Sequence, residues 1–182
     1  MGETLSQEDI SVTPAALDVH VAADSTVMSL KSWLPGQARG GVSVRLAGLD
    51  LPVGVGSVLA GPLRILCIAP GEWLVVAQPR LPDEIRKAVQ AEAADQGFAL
   101  VDLSSGRTVL DVSGPAARRV LSEGCGLDLH PKRFCLTLSA RTRLAQIPVV
   151  VDLMRDPDCF QLYVERSHAR YLEEWLAGAM SD

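Results

Sequence analysis

Two alternating runs flank Ser105-Gly106 within Leu100 to Phe134, LVDLSSGRTVLDVSGPAARRVLSEGCGLDLHPKRF, and leave this segment few ways to fold. A two-residue loop ending in Gly predicts a hairpin, because Gly tolerates the positive φ of a primed turn. The hairpin would pair Ser104 with Arg107, Leu103 with Thr108, Asp102 with Val109 and Val101 with Leu110. Alternation then puts Val101, Leu103, Thr108, Leu110 and Val112 on a core face, with Asp102, Ser104, Arg107, Val109 and Asp111 opposite. Ser113-Gly114-Pro115 reads as a helix entry, with Ser113 as N-cap and Pro115 in the first turn. Ala116, Ala117, Val120 and Leu121 form the expected buried stripe, Arg118 and Arg119 point outward, and Gly124 and Gly126 can close the helix.

The other elements follow from periodicity and punctuation. Residues 1–11 read as a mobile tail and 12–182 as one domain, with 12–62 less distinctive than a core at 63–180. Pro14 to Val21 could be a short helix or extended; Met28 to Leu34, with Trp33, is an apolar patch before a Pro35-Gly36 turn. Val42, Val44 and Leu46 alternate as a strand does. Leu63 to Ile68 and Glu72 to Ala77 are strands around a Pro70-Gly71 turn. Asp83 to Gln96 is a helix carrying Ile85, Ala88, Val89, Glu92 and Ala93 at helical spacing, closed by Gly97. Leu136 to Leu144 is a helix or strand with Arg141 and Arg143 exposed, and Ala145 to Leu153 is a buried strand. Asp156-Pro157-Asp158 is a turn and Cys159 to Val164 a strand. Ser167 caps a last helix, His168 to Ala179, with Tyr171, Leu172, Trp175 and Leu176 on its apolar face. The order from Leu63, β-β-α-β-β-α-β-β-α, predicts an α+β fold: antiparallel sheet with helices packed on one side, and ferredoxin-like β-α-β-β-α-β order over Glu72 to Leu153.

Composition narrows the function. At 182 residues and 48% hydrophobic the chain can bury a substantial core; with only 4% aromatics, Val, Leu and Ala must fill it. A net charge of −5 argues against broad nucleic-acid binding. Cys67, Cys125 and Cys159 lie in or beside apolar runs, and no C-x-x-C pair occurs, so a reduced, cytoplasmic protein is expected. No run approaches the ~20 apolar residues of a membrane span, and the acidic N-terminus lacks the features of a signal peptide.

Each candidate for chemistry has an ordinary structural reading. Gly54 and Gly56 form a G-x-G without a third Gly or a following helix, which suits a loop or bulge better than a dinucleotide. His130 lies five residues from both Cys125 and Cys135, a spacing that matches no common zinc pattern and lacks a fourth ligand. His168 sits in a cationic first turn beside Arg166 and Arg170, so a partner carboxylate is expected nearby. Ser104 and Ser113 lack a nucleophile elbow. Asp102 and Asp111 share the predicted hairpin face, and an exposed pair between Asp102 and Arg107 is expected rather than paired catalytic carboxylates. Trp33, Trp73 and Trp175 are candidate anchors for a partner surface. No residue is assigned a catalytic, cofactor-binding or metal-binding role. That balance favours binding or assembly over a self-contained enzyme.

Several blocks together resemble the gamma subunit of heterotetrameric sarcosine oxidase. They are Glu72-Trp73-Leu74; Asp102 with Ser104 and Arg107; Ser113-Gly114-Pro115; Cys125 with Leu127 to Pro131 and Phe134; and Arg166-Ser167, Ala169-Arg170 and Trp175-Leu176. Order and spacing fit from Leu63 to Leu176. The resemblance implies a fold related to folate-binding aminomethyltransferase domains. It also implies a small non-catalytic subunit, partnered by alpha, beta and delta subunits, in a complex that oxidatively demethylates sarcosine to glycine. Such a complex uses FAD, FMN and NAD and passes the one-carbon unit to tetrahydrofolate, with these cofactors in the other subunits. The alternative is a stand-alone folate-binding, aminomethyltransferase-like protein; a regulatory small-molecule module is a third reading. The K-G-C-Y motif of related iron–sulfur repair proteins is absent, since Cys125 sits in Glu-Gly-Cys-Gly.

Overall fold

The computed structural model describes residues 17–32, 45–155 and 158–179. The expected tail, Trp33, the Pro35-Gly36 turn, Val42, Val44 and the Asp156-Pro157 step lie outside these residues. The strands are β1 (Asp18–Val21), β2 (Thr26–Ser32), β3 (Arg45–Leu46), β4 (Leu49–Asp50), β5 (Val58–Leu59), β6 (Arg64–Ala69), β7 (Glu72–Ala77), β8 (Phe98–Asp102), β9 (Arg107–Ser113), β10 (Ser139–Leu144), β11 (Ile147–Arg155) and β12 (Cys159–Glu165). The helices are α1 (Asp83–Asp95), α2 (Ala117–Gly124) and α3 (Arg166–Gly178).

Two five-stranded antiparallel sheets form. The first runs β1-β9-β12-β11-β10 and the second β5-β6-β7-β2-β8, with β3-β4 as a separate hairpin. Strand alternation divides the apolar residues into three layers. Leu110, Val112, Val151, Leu153, Phe160 and Leu162 pack outward from the first sheet beneath α2 and α3. Leu30, Ile65, Trp73 and Val75 pack outward from the second beneath α1 and β3-β4. Val27, Leu66, Leu74 and Val76 face Val109, Val150 and Tyr163 between the sheets. The expected α+β class with antiparallel sheets and helices stands. The β-α-β-β-α-β succession is present in the chain, but its strands divide between the sheets: β7 and β8 lie in the second, β9, β10 and β11 in the first.

The predicted hairpin around Ser105-Gly106 does not form. β8 pairs with β2, while β9 lies between β1 and β12. The turn is local, since Gly106 N and Arg107 N both donate to Leu103 O at 2.9 Å. Its residues are also stapled to β2. Leu103 N donates to Val27 O at 2.8 Å, and Val27 N donates to Ser104 Oγ at 3.0 Å. The chain therefore crosses from one sheet to the other. β9 gains burial on both faces, through Val109 on one and Leu110 and Val112 on the other, which a two-stranded ribbon could not supply. Val101, expected in the core, is 52% exposed.

The helix stripes are met in outline. Ala116, Ala117, Val120 and Leu121 are buried as expected. Ser113 is a residue of β9 rather than an N-cap; Ala116 takes the cap position without a side-chain bond. Arg118 does not point into open water: it pairs with Asp158 at 2.8 Å, donates to Leu129 O and lies 5.1 Å from the Phe160 ring centroid. α1 buries Val89 and Ala93 and ends at Gly97, whose φ is 80°, but leaves Ile85 exposed. α3 begins after Glu165 and buries Ala169, Leu172 and Leu176; Tyr171 is exposed and Trp175 half-buried. Among the described residues, no helix is long and apolar enough to cross a membrane.

Candidate functional site

Among the described residues, the space between the sheets holds a connected set of polar side chains. Asp152 interrupts the apolar run of β11 and is fully buried. Burying a carboxylate demands a partner. Arg64 on β6 supplies it from the opposite sheet, through Nε to Oδ2 and Nη2 to Oδ1 at 2.7 Å, with a further bond from Nη2 to Leu153 O at 3.0 Å. Burial opposes the Arg64 charge, but the bonds from and attraction to Asp152 more than restore it. Tyr163 Oη lies 3.1 Å from Asp152 Oδ2 and 2.9 Å from Gln161 Oε1, with one hydrogen to share between them. Burial first, and the Asp152 charge next, hold the phenol well above its ordinary pKa, so it stays neutral. Gln161 Nε2 donates to Asp111 Oδ1 at 2.8 Å and Gln78 Oε1 at 2.9 Å. Every polar side chain of this seam has partners inside the protein, which suits it to fixing two sheets in register.

The seam opens at both ends. At one end a cleft of about 300 Å³ contains Gln161, Asp111, His20, Ser113 and Cys159. His20 on β1 lies opposite Asp111 in register, with Nε2 3.3 Å from Asp111 Oδ2 and Nδ1 3.7 Å from Asp18 Oδ2. At the other end a cleft of about 340 Å³ opens beyond Tyr163 and Val150 on one wall and Leu74 and Ser29 on the other. Its inward-facing positions become charged there. Lys31 Nζ is 3.1 Å from Glu72, and Arg107 Nη2 is 3.9 Å from Glu165. Arg141, on edge strand β10, completes the lining. With Lys31, Arg107 and Arg141 in its lining, this cleft can receive an anionic group.

The other candidates are dispersed. Asp102 and Asp111 lie in different sheets, and the expected exposed pair of Asp102 with Arg107 is replaced. Asp102 instead binds Arg86 of α1 and accepts from Ser104 N at 2.9 Å and Ser104 Oγ at 2.6 Å. Burial works against ionisation of Asp102, yet the bonds from Ser104 and Arg86 outweigh it and lower its pKa. Ser104 thus serves the crossover between sheets, and Ser113 sits in β9 opposite Asp18 and Cys159. His130 is exposed and closes a local turn, its Nδ1 accepting from Lys132 N at 3.2 Å. His168 Nδ1 lies 4.0 Å from Glu165 Oε2, the expected carboxylate neighbour. Trp73 is buried, donating to Pro52 O at 2.7 Å. Gly56 is a loop residue: φ is 87°, and an added Cβ would lie 2.9 Å from Ser139 O. Neither Arg64 nor Asp152 belongs to a motif that marks it in the sequence as a site residue. The available signal was an Asp within the Val149 to Leu153 run, which predicts a buried cation opposite.

The comparisons converge. A family model described as "Sarcosine oxidase, gamma subunit family" matches residues 37–182. The sarcosine oxidase subunit gamma of Corynebacterium sp. (strain U-96) is 31% identical over 172 residues, covering 92% of this chain and 80% of that one. Its counterpart in Arthrobacter sp is 34% identical over 141 residues, covering 76% and 68%. A chain of the heterotetrameric sarcosine oxidase from Corynebacterium sp. U-96, solved in complex with pyrrole 2-carboxylate, superposes with a TM-score of 0.79 at 28% identity, covering 93% of this chain and 86% of that one. The glycine cleavage system aminomethyltransferase T from Bartonella henselae gives a TM-score of 0.59 at 18% identity over 91% of this chain and 46% of that one, a likeness of fold alone. With its fold, its motif blocks and these relatives in agreement, the chain belongs to the sarcosine oxidase gamma subunit family.

Proposed function

We propose that this chain is the non-catalytic gamma subunit of a cytoplasmic heterotetrameric sarcosine oxidase, assembled with alpha, beta and delta subunits. The assembly oxidatively demethylates sarcosine to glycine and passes the one-carbon unit to tetrahydrofolate. FAD, FMN, NAD and the folate belong to the other subunits. The observation that carries this reading is the superposition, over 93% of the chain, on a chain of a solved heterotetrameric sarcosine oxidase. The test is co-expression with the candidate larger subunits, followed by a visible absorbance spectrum of what co-purifies. Flavin absorbance with this chain present in the complex is expected.

The second reading, a stand-alone folate-binding protein, is favoured only by the fold shared with the aminomethyltransferase. Calorimetric titration of the isolated chain with tetrahydrofolate separates the two. Heat of saturable binding supports the stand-alone reading, and its absence supports the subunit.

A further inference from the structure

We propose that the arginine-bearing mouth of the cleft beyond Tyr163 docks an acidic segment of a neighbouring subunit; this rests on the gamma-subunit reading. Register places the groups. Arg141, Val150, Tyr163 and Val109 form one row across β10, β11, β12 and β9, and Val109, Val150 and Tyr163 face the second sheet. Arg143, two residues along β10, shares the face of Arg141 by strand alternation. Both side chains are exposed, and neither makes an ion pair among the described residues. On a chain of net charge −5, two unpaired arginines on one face of an edge strand form a local excess of positive charge.

The cleft beside them adds to that excess. Lys31 and Arg107 are matched by Glu72 and Glu165, so Arg141 leaves the lining one positive charge in surplus. The Arg107–Glu165 separation of 3.9 Å is beyond hydrogen-bond length, which leaves the guanidinium donors free to turn to an incoming carboxylate. A charged edge strand also discourages strand pairing, but that role alone does not need the arginines to flank an open cleft.

The chemistry favours a protein occupant over a free small anion. Lys31 is 57% exposed and Arg141 is exposed, so a small anion held by them would remain hydrated and screened. A docking surface expels that water as it closes and strengthens each contact. The partner chemistry is therefore a run of Asp or Glu side chains on a surface able to cover the β10 edge.

The test uses the full chain co-expressed with candidate alpha, beta and delta subunits and captured through a tag on another subunit. Wild type is expected to be retained, and retention is expected to fall as salt is raised. The Arg141→Glu/Arg143→Glu variant is expected to be retained roughly tenfold less, while Arg141→Lys/Arg143→Lys stays near wild type. Melting of each variant alone is expected to match wild type. Wild-type retention of the double Glu variant, or salt-independent retention of wild type, overturns the proposal and leaves the subunit reading standing. A citrate-induced rise in melting temperature that the double Glu variant loses, with assembly intact, overturns it in favour of a small-anion site. Failure of wild type itself to co-purify overturns both readings.

Discussion

Arg64 and Asp152 join the two sheets across their shared interior. Their side chains meet in a two-bond clamp, with the carboxylate fully buried and the arginine side chain 12% exposed. Removing one partner leaves a buried charge without its counterpart. Arg64→Ala is therefore expected to destabilise the protein by about 3–5 kcal/mol. Replacing both with apolar residues, Arg64→Met with Asp152→Leu, is expected to cost less than Arg64→Ala alone, because no charge is left behind. Urea unfolding of the single and double variants checks the order.

Gly124 ends α2 against the last helix. A Cβ there would lie 2.4 Å from Trp175 Cη2 and 2.6 Å from Leu144 Cδ1. Its place in the sequence predicts a helix-closing residue; its smallness serves this close approach. Gly124→Ala is expected to cost about 1–3 kcal/mol through overpacking, although Ala favours helix. Gly126→Ala meets nothing within 4 Å and is expected to stay within about 0.5 kcal/mol of wild type. Thermal melting of the pair distinguishes packing from propensity.

The β10–β11 hairpin turns through Ala145 and Gln146, both at positive φ (49° and 70°). This is the geometry that Gly and Asn adopt with least strain. Gln146 is exposed, so its conformation can be relieved without disturbing packing. Gln146→Gly is expected to stabilise by about 1 kcal/mol, a rise of roughly 2–4 °C in melting temperature, and Gln146→Val to destabilise.

Asp102 links acid stability to the crossover between the sheets. Its pKa is lowered in the folded protein, where the bonds from Ser104 and Arg86 outweigh the opposing effect of burial. Its contribution is thus present above the unfolded carboxylate pKa, near 4, and is lost as pH falls through the lower folded value. Asp102→Asn is expected to be less stable than wild type at pH 7. The gap is expected to close under acid conditions, as read by denaturant unfolding across pH.

The sequence made local structure legible and long-range partnership much less so. The α2 stripe of Ala117, Val120 and Leu121 and the Pro70-Gly71 turn follow from spacing and backbone preference alone. The Ser105-Gly106 signal specifies a tight turn but not which strands the flanking runs will join. The pairing of β8 with β2 and of β9 with β12 is decided by burial on distant surfaces. Arg118 read as an outward helix residue because its partners, Asp158 and Leu129 O, come from elsewhere in the chain. Family membership is readable because its motif blocks occur as a set: Asp102 and Ser104 hold the crossover, and Leu129 O accepts from Arg118 of α2.

The most direct test of the central claim is the subunit composition of the purified assembly. The full chain is co-expressed with candidate alpha, beta and delta subunits and resolved by size exclusion, with protein and visible flavin absorbance followed together. The gamma-subunit account predicts that this chain elutes in equal proportion with its partners in one flavin-bearing peak. Elution of the chain by itself, with the flavin-bearing subunits assembled without it, would contradict the account.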